Sequence, residues 1–200
     1  ILIWDQKLAL EELGHEVQIV NTASGIEIIK EINSFRPDFV HVQYDDFVEL
    51  CPYIQYPNAI TSHFGYLEQP RKWDYYGPRV AQKFANIKPN IFCLSPGIRD
   101  VYEKVMEIPS NQLFVTPNGV NVDKFKFDKL PLTEDMPKSI YLAKIDYRKR
   151  QHMFQSIDSL WYAGNNADPR FDTSKNYLGE WSKETLYNDL TKYGNLVLLS

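Results

Sequence analysis

The sequence predicts an α/β fold with parallel sheets, arranged in two domains. Short apolar segments alternate with helical patterns up to about residue 116, and the alternation restarts at Ser139. Strands that alternate with helices in this way form a parallel sheet covered by helices on both faces. A charged stretch with two prolines separates the two runs, which is typical of a linker. We therefore predict a first domain over residues 1–125, a linker over 126–138 and part of a second domain over 139–200.

The first two helices are predicted from the spacing of apolar residues. Ile1, Trp4 and Leu8 fall on one face of a helix that stops at the following glycine. In the second helix, isoleucine recurs every third residue from Ile26 to Ile32, and the helix ends before Pro37.

The remaining elements follow in order along the chain. Short apolar runs predict strands at 17–20, 39–42, 59–62, 91–94, 113–116, 139–143, 160–163 and 196–199. Helical patterns predict helices at 79–87, from the N-cap Ser95 to about 106, from 149 to about 155 and at 182–193. Ligands of such folds bind beyond the carboxyl ends of the strands, which places His41, His63, Ser95 and Asn118 at or near that edge.

Composition excludes several classes of protein. The 200 residues are 44% hydrophobic and 24% charged, which indicates a globular chain. A formal net charge of -4 gives no basic excess for a nucleic-acid partner, and the apolar runs are far shorter than a membrane span. Cys51 and Cys93 are predicted to be reduced, buried thiols of a cytoplasmic protein, with a single disulfide as the alternative.

Basic residues cluster after the predicted strand at 139–143, at Lys144, Arg148, Lys149 and Arg150. Two cations from one strand-to-helix loop can stabilise the charge on a leaving diphosphate without a metal ion. Most charge runs, however, form a solvated surface. The residues of this turn by themselves leave both interpretations open.

Histidines supply the other candidate chemistry. His63 ends a predicted strand beside Gly65, where an imidazole can hydrogen-bond a ligand or act as an acid or base. His41 is predicted to pack at a strand end, His15 to lie in a turn, and His152 to have no partner that would make it a ligand. No two histidines have zinc-ligand spacing, so no metal site is predicted.

Six segments in register along the chain resemble the GT-B glycosyltransferases of family 4. The longest runs from Leu113 to Phe125, an apolar strand followed by Pro117-Asn118-Gly119-Val120 and then by Asp123. The others are Leu13-Gly14-His15-Glu16-Val17, Pro37-Asp38-Phe39-Val40-His41-Val42, Thr61-Ser62-His63-Phe64-Gly65, Ala143-Lys144-Ile145-Asp146-Tyr147-Arg148-Lys149 and Tyr177-Leu178-Gly179-Glu180-Trp181.

This resemblance implies a GT-B fold, in which a Rossmann-like acceptor-side domain precedes a donor-binding domain. It implies transfer of a sugar from a nucleotide-sugar donor to an acceptor hydroxyl, with retention at the anomeric carbon and without a metal ion or other cofactor. His63 is then the catalytic residue at the reaction centre, and Lys144 and Lys149 bind the donor diphosphate. Further cleft-lining candidates are His41, Asn118, Gly119 and Arg148.

The chain also departs from the family pattern. Ala143 and Lys144 stand where the family has Gly-Arg, and lysine cannot bind a phosphate bidentately. Either the donor is therefore held less tightly, or Arg148 or Arg150 takes over part of the role. The family's first strand with its Gly-rich loop is expected before residue 1, and its acidic pair after residue 200. We therefore expect the 200-residue chain alone to be inactive. Residues 165–177 have no counterpart in the family pattern.

The implied partners are a nucleotide-sugar donor and a carbohydrate or lipid-linked acceptor. An aromatic and basic loop at 71–76 is a candidate for stacking on the acceptor or for peripheral contact with an anionic membrane. Two alternatives stay open. One is a nucleotide-sugar epimerase of the same fold, which needs no acceptor, and the other is a non-catalytic α/β binding or interaction domain.

Overall fold

The computed structural model describes residues 2–63, 76–125 and 138–197. The chain divides into two compact units, Ile1–Gly119 and Val120–Ser200. Both units combine helices with a parallel sheet, which confirms the predicted α/β class. Phe64-Gly65, the loop at 71–75 and nearly all of the predicted linker lie outside the described residues, so the predicted domain limits stay predictions.

A four-stranded parallel sheet organises the first unit, and its strands lie side by side in chain order. They are β1 (Val40–Val42), β2 (Asn58–Ile60), β3 (Ile91–Cys93) and β4 (Leu113–Val115). The helices are α1 (Leu2–Glu12), α2 (Gly25–Phe35), α3 (Tyr76–Ile87) and α4 (Pro96–Lys104), and a 3-10 helix covers Asp45–Tyr53. These elements confirm four of the predicted strands and all four helices of this part of the chain, with small differences at the ends.

Local signals determine where these helices begin and end. The Ser95 side chain accepts a hydrogen bond from the Ile98 N–H at 3.2 Å, and Pro96 opens the helix, which confirms the N-cap prediction. Arg36 ends α2 in the left-handed region, with a φ of 55°, directly before Pro37. The N-cap formed by Ser95 stabilises α4 by about 1 kcal/mol.

Buried apolar side chains from the strands and from α2, α3 and α4 form the core of the first unit. Each large side chain that leaves water completely contributes roughly 1.5–3 kcal/mol to folding. Cys51 and Cys93 belong to this core as free thiols, which confirms that they are buried and unpaired, and burial raises the pKa of both to about 11. Fully buried members of the core are Val48, Ile60, Val80, Phe84, Ile91 and Cys93.

The predicted strand at 17–20 is wrong. Residues 15–22 are irregular, and within the described chain no backbone hydrogen bond joins 16–21 to another segment. A strand needs a hydrogen-bonded neighbour, and apolar composition does not supply one. The segment instead lines a groove of about 1020 Å³ together with β1, without pairing with it. The Val17 carbonyl accepts a hydrogen bond from Lys7 Nζ.

The apolar faces predicted for the first two helices also need correction. In α1, Trp4 and Leu8 are 58% and 47% exposed. In α2, Ile26 is 85% exposed, whereas Ile29 and Ile32 pack in the core. A spacing of three drifts by about 60° per step around a helix of 3.6 residues per turn, so Ile26 lies far around the helix from Ile32.

The second unit contains a three-stranded parallel sheet with β5 (Ser139–Leu142) in the middle, between β6 (Leu160–Ala163) and β7 (Asn195–Leu196). Helix α5 (Lys183–Asp189) precedes β7. The helix predicted from 149 to about 155 is wrong: the chain forms two 3-10 turns, Tyr147–Lys149 and Gln151–Phe154. Arg150 separates the turns because its φ of 55° is incompatible with a continuous right-handed helix.

Residues 165–177 pack against this second sheet. Phe171 is 5% exposed, and its ring lies 5.1 Å from that of Tyr162 and 5.7 Å from that of Tyr177. The segment therefore completes the core of the unit. In neither unit does the described chain contain a helix long and apolar enough to cross a membrane.

Candidate functional site

The carboxyl ends of β1 and β2 lie side by side and carry polar side chains. The strands pair in parallel, with His41 opposite Ala59. Gln43 follows β1, and Thr61 and His63 follow β2. Since the carboxyl ends of parallel strands meet at the edge where ligands bind, these side chains form a candidate site. The structure thus brings together His41 and His63, which were both predicted for the site.

A hydrogen-bond network joins these side chains. His41 Nε2 lies 2.7 Å from Thr61 Oγ1, and His41 Nδ1 lies 3.0 Å from Gln43 Nε2. Gln43 Oε1 lies 2.9 Å from His63 Nε2. Gln43 Nε2 also donates to Gln6 Oε1 of α1 at 2.7 Å. Side chains from α1, from β1 and from the segment after β2 therefore converge on one amide group.

Burial keeps both imidazoles of this network neutral. Desolvation, together with the nearby His63, lowers the pKa of His41 from 6.5 to about 4. Burial also lowers the pKa of His63. At neutral pH each ring therefore donates a hydrogen bond from one nitrogen and accepts one on the other.

Sequence reasoning missed Gln43 and Asp45. Gln43 lies two positions after His41, so both side chains project from the same face of the extended backbone, and this spacing could have identified Gln43. Asp45 is fully buried, and its Oδ2 accepts a hydrogen bond from Ser62 Oγ at 3.2 Å. That contact joins residues 17 positions apart, so no local sequence pattern predicts it.

Asn118 and Gly119 lie beyond β4 and are exposed. A side chain added at Gly119 would meet no atom within 4 Å. Neither residue joins the described network around His41, and their cleft-lining role stays a prediction.

In the second unit, the loop at the carboxyl end of β5 carries the two predicted phosphate-binding lysines. The fully buried Gln151 holds the backbone of this loop: its Nε2 donates to the Lys144 carbonyl at 3.1 Å, and its Oε1 accepts from the Asp146 N–H at 3.2 Å. Asp146 Oδ1 in turn accepts from the Lys149 N–H at 3.3 Å. The backbone at both lysines is therefore fixed by buried polar groups.

Gly164, directly after β6, lies against the backbone at the start of the same loop. Gly164 has a φ of +145°, and a Cβ there would lie 2.0 Å from the Ala143 carbonyl oxygen, so only glycine fits. The Gly164 N–H donates to the Gly179 carbonyl at 2.8 Å. Gln151 and Gly164 were both missed by the sequence reasoning, because their roles depend on neighbours that are distant in the chain.

The two lysines are available to a ligand. The Lys144 side chain is exposed and that of Lys149 is half-buried. Among the described residues of this unit, His152, Arg170, Lys175 and Lys192 form ion pairs with carboxylates. The Arg148 side chain lies outside what the structure describes. Two ammonium groups on one fixed loop suit an anionic ligand such as a diphosphate.

His152 lies beside the carboxylate of Asp168. Its Nδ1 lies 3.2 Å from Asp168 Oδ2. Arg170 grips the same carboxylate with two hydrogen bonds of 2.8 Å and holds the pKa of Asp168 at about 2. In the described parts of the chain, no group of three or more His, Cys, Asp or Glu side chains could hold a metal ion.

The sequence pattern of Glycosyltransferase Family 4 matches residues 20–124, slightly more than half of the 200 residues. The chain belongs to this family. The matched region of this family 4 chain contains the whole His41–Gln43–His63 network except its contact with Gln6. No curated protein sequence matches the chain.

Solved structures that are similar to this family 4 chain include the following two. A putative UDP-N-acetylglucosamine 2-epimerase from Listeria monocytogenes aligns with a TM-score of 0.57 and 13% identity, over 86% of this chain and 54% of the other. A glycosyltransferase from Rickettsia africae ESF-5 aligns with a TM-score of 0.55 and 11% identity, over 98% and 62%. The chain thus spans between half and two thirds of their lengths. These likenesses concern the fold, and with the family match they confirm the predicted GT-B type.

Proposed function

We propose that this family 4 chain serves in the transfer of a sugar from a nucleotide-sugar donor to an acceptor hydroxyl, with retention and without a metal ion. The observation that carries the proposal is the loop after β5, where the buried Gln151 fixes the backbone that presents Lys144 and Lys149. A nucleoside diphosphate that leaves the sugar gains negative charge. Cations held in place beforehand stabilise that charge with little reorganisation.

The second part of the proposal concerns His63. As a neutral, half-buried imidazole at the carboxyl end of a strand, it would hydrogen-bond a hydroxyl of the sugar or orient the acceptor. The acceptor would be a carbohydrate or a lipid-linked sugar. The buried thiols of Cys51 and Cys93 support a reducing, cytoplasmic location.

Calorimetric titration of UDP, GDP and ADP into the 200-residue chain tests the donor site. We expect one of the three to bind, because binding needs the lysine loop and not the complete catalytic machinery. His63→Ala should bind the same nucleotide equally well, since the proposal assigns His63 to the sugar or acceptor. If no nucleoside diphosphate binds, the non-catalytic binding domain becomes the better interpretation.

An epimerase is the second candidate, favoured by the likeness to a putative UDP-N-acetylglucosamine 2-epimerase. Labelled nucleotide sugars, incubated with the chain in the presence and absence of acceptor sugars, separate the candidates. Label that passes to an acceptor sugar would favour the transferase. A new nucleotide sugar formed without acceptor would favour the epimerase.

A further inference from the structure

Gln43 occupies the centre of the network at the ends of β1 and β2. Its amide nitrogen lies 2.7 Å from Gln6 Oε1 and 3.0 Å from His41 Nδ1, and its amide oxygen lies 2.9 Å from His63 Nε2. The amide therefore contacts both histidines of the candidate site through different atoms.

The chemistry of an amide determines where the protons of both histidines lie. An amide nitrogen only donates and an amide oxygen only accepts. His41 Nδ1 must therefore accept, which leaves its proton on Nε2, where it donates to Thr61 Oγ1 at 2.7 Å. His63 Nε2 must donate to the Gln43 oxygen. In the neutral ring of His63, Nδ1 then carries the lone pair.

We propose that Gln43 is the positioning residue of this site, and that its amide fixes His63 in the Nε2–H tautomer with Nδ1 as the hydrogen-bond acceptor. The use of that acceptor for a sugar or acceptor hydroxyl rests on the proposed function. The tautomer itself does not, because it follows from contacts within the first unit. A His63 that can rotate or change tautomer would present a donor instead of an acceptor to the same hydroxyl.

The Gln6 side chain helps to determine which way the Gln43 amide points. If the Gln43 amide were reversed, its oxygen would face Gln6 Oε1, and two acceptors cannot bond each other unless Gln6 reverses as well. In that fully reversed network His41 would carry its proton on Nδ1, and His63 Nε2 would accept from the amide nitrogen. The two arrangements therefore differ in the tautomer of both histidines, which makes them distinguishable by measurement.

Long-range ¹H–¹⁵N correlation spectra of the 200-residue chain, labelled with ¹⁵N-histidine and recorded at neutral pH, read these tautomers directly. We expect His41 and His63 both to be protonated on Nε2. In Gln43→Met, His63 should lose its preference and show a mixture of tautomers. Gln18→Met is the matched control, since Gln18 lines the same groove but its amide contacts Glu31, and it should leave both histidines unchanged.

Gln43→Glu gives a second reading from a side chain of nearly the same shape. A carboxylate still accepts from His63 Nε2–H but cannot donate to His41 Nδ1 or to Gln6 Oε1, so the Gln6 amide must reverse and donate to it. We expect His63 to keep its tautomer and His41 to move its proton to Nδ1, a split response that general loss of packing does not produce. The proposal is overturned if wild-type His63 carries its proton on Nδ1, or if His63 keeps its Nε2–H preference unchanged in a folded Gln43→Met.

These spectra need no nucleotide or sugar, so they separate the two proposals. The expected tautomers without any nucleoside diphosphate binding would refute the donor site and leave the role of Gln43 intact. Nucleotide binding with the reversed tautomers would do the opposite.

Discussion

The two units hold their buried polar side chains in different ways. In the first unit, His41, Gln43 and His63 form a neutral network in which an amide sets the position of each proton. In the second unit, Asp168 and Arg170 form an ionic pair with two hydrogen bonds of 2.8 Å. Neutral groups are sensitive to acid near the ordinary pKa of histidine, whereas a paired carboxylate resists acid to much lower pH. The comparison therefore predicts different responses to pH and to substitution.

We expect the largest loss of stability when a side chain is forced against the backbone at Gly164, and smaller losses when either polar network is disrupted. In Gly164→Ala the new Cβ would lie 2.0 Å from the Ala143 carbonyl oxygen, at a φ of +145°. We expect a loss of about 3 kcal/mol or more in the free energy of unfolding, measured by urea titration. Gly179→Ala is the matched control. The φ of Gly179 is +77°, but a Cβ added there would meet no atom within 4 Å. The substitution should therefore lower the free energy of unfolding by only about 1 kcal/mol. Equal losses would show that the contact with the lysine loop is unimportant.

The neutral network predicts the second effect. His41 has a pKa of about 4 in the folded chain and 6.5 ordinarily, so the unfolded chain binds the proton more readily between these values. Its contribution to stability is complete above pH 6.5 and is lost as the pH falls toward 4. The loss amounts to at most about 3 kcal/mol. Urea unfolding across this range should show a steeper slope with pH for wild type than for His41→Gln, which keeps only the contribution of His63 and other groups. Parallel curves would contradict a buried, neutral His41.

The ionic pair predicts a smaller effect at lower pH. Arg170 holds the pKa of Asp168 at about 2 in the folded chain, against 3.8 ordinarily. The stabilisation is present above pH 3.8 and is lost as the pH falls toward 2. Acid unfolding of wild type and Asp168→Asn should converge over this range, because the wild type loses its advantage. Curves that stay parallel down to pH 2 would contradict a stabilising Asp168–Arg170 pair.

These contrasts also show what the sequence can predict. Helix and strand positions depend on local spacing and caps, so α4 follows from Ser95 and Pro96 alone. The strand predicted at 17–20 failed because a strand also depends on a neighbour. His63 and Lys149 could be proposed from motifs, since each carries its own chemistry. Gln43, Gln151 and Gly164 could not, because their roles arise from contacts made by folding.

The central claim is that the loop after β5 binds the diphosphate of a nucleotide-sugar donor. Its most direct test is calorimetric titration of the preferred nucleoside diphosphate into three forms of the 200-residue chain: wild type, Lys149→Ala and Lys192→Ala. Lys192 is a matched control, an exposed lysine of the same unit that pairs with Asp189. We predict that Lys149→Ala weakens binding by about 10- to 100-fold, the value of one charge-assisted hydrogen bond, and that Lys192→Ala leaves it unchanged. Equal affinity in all three forms would contradict the donor site.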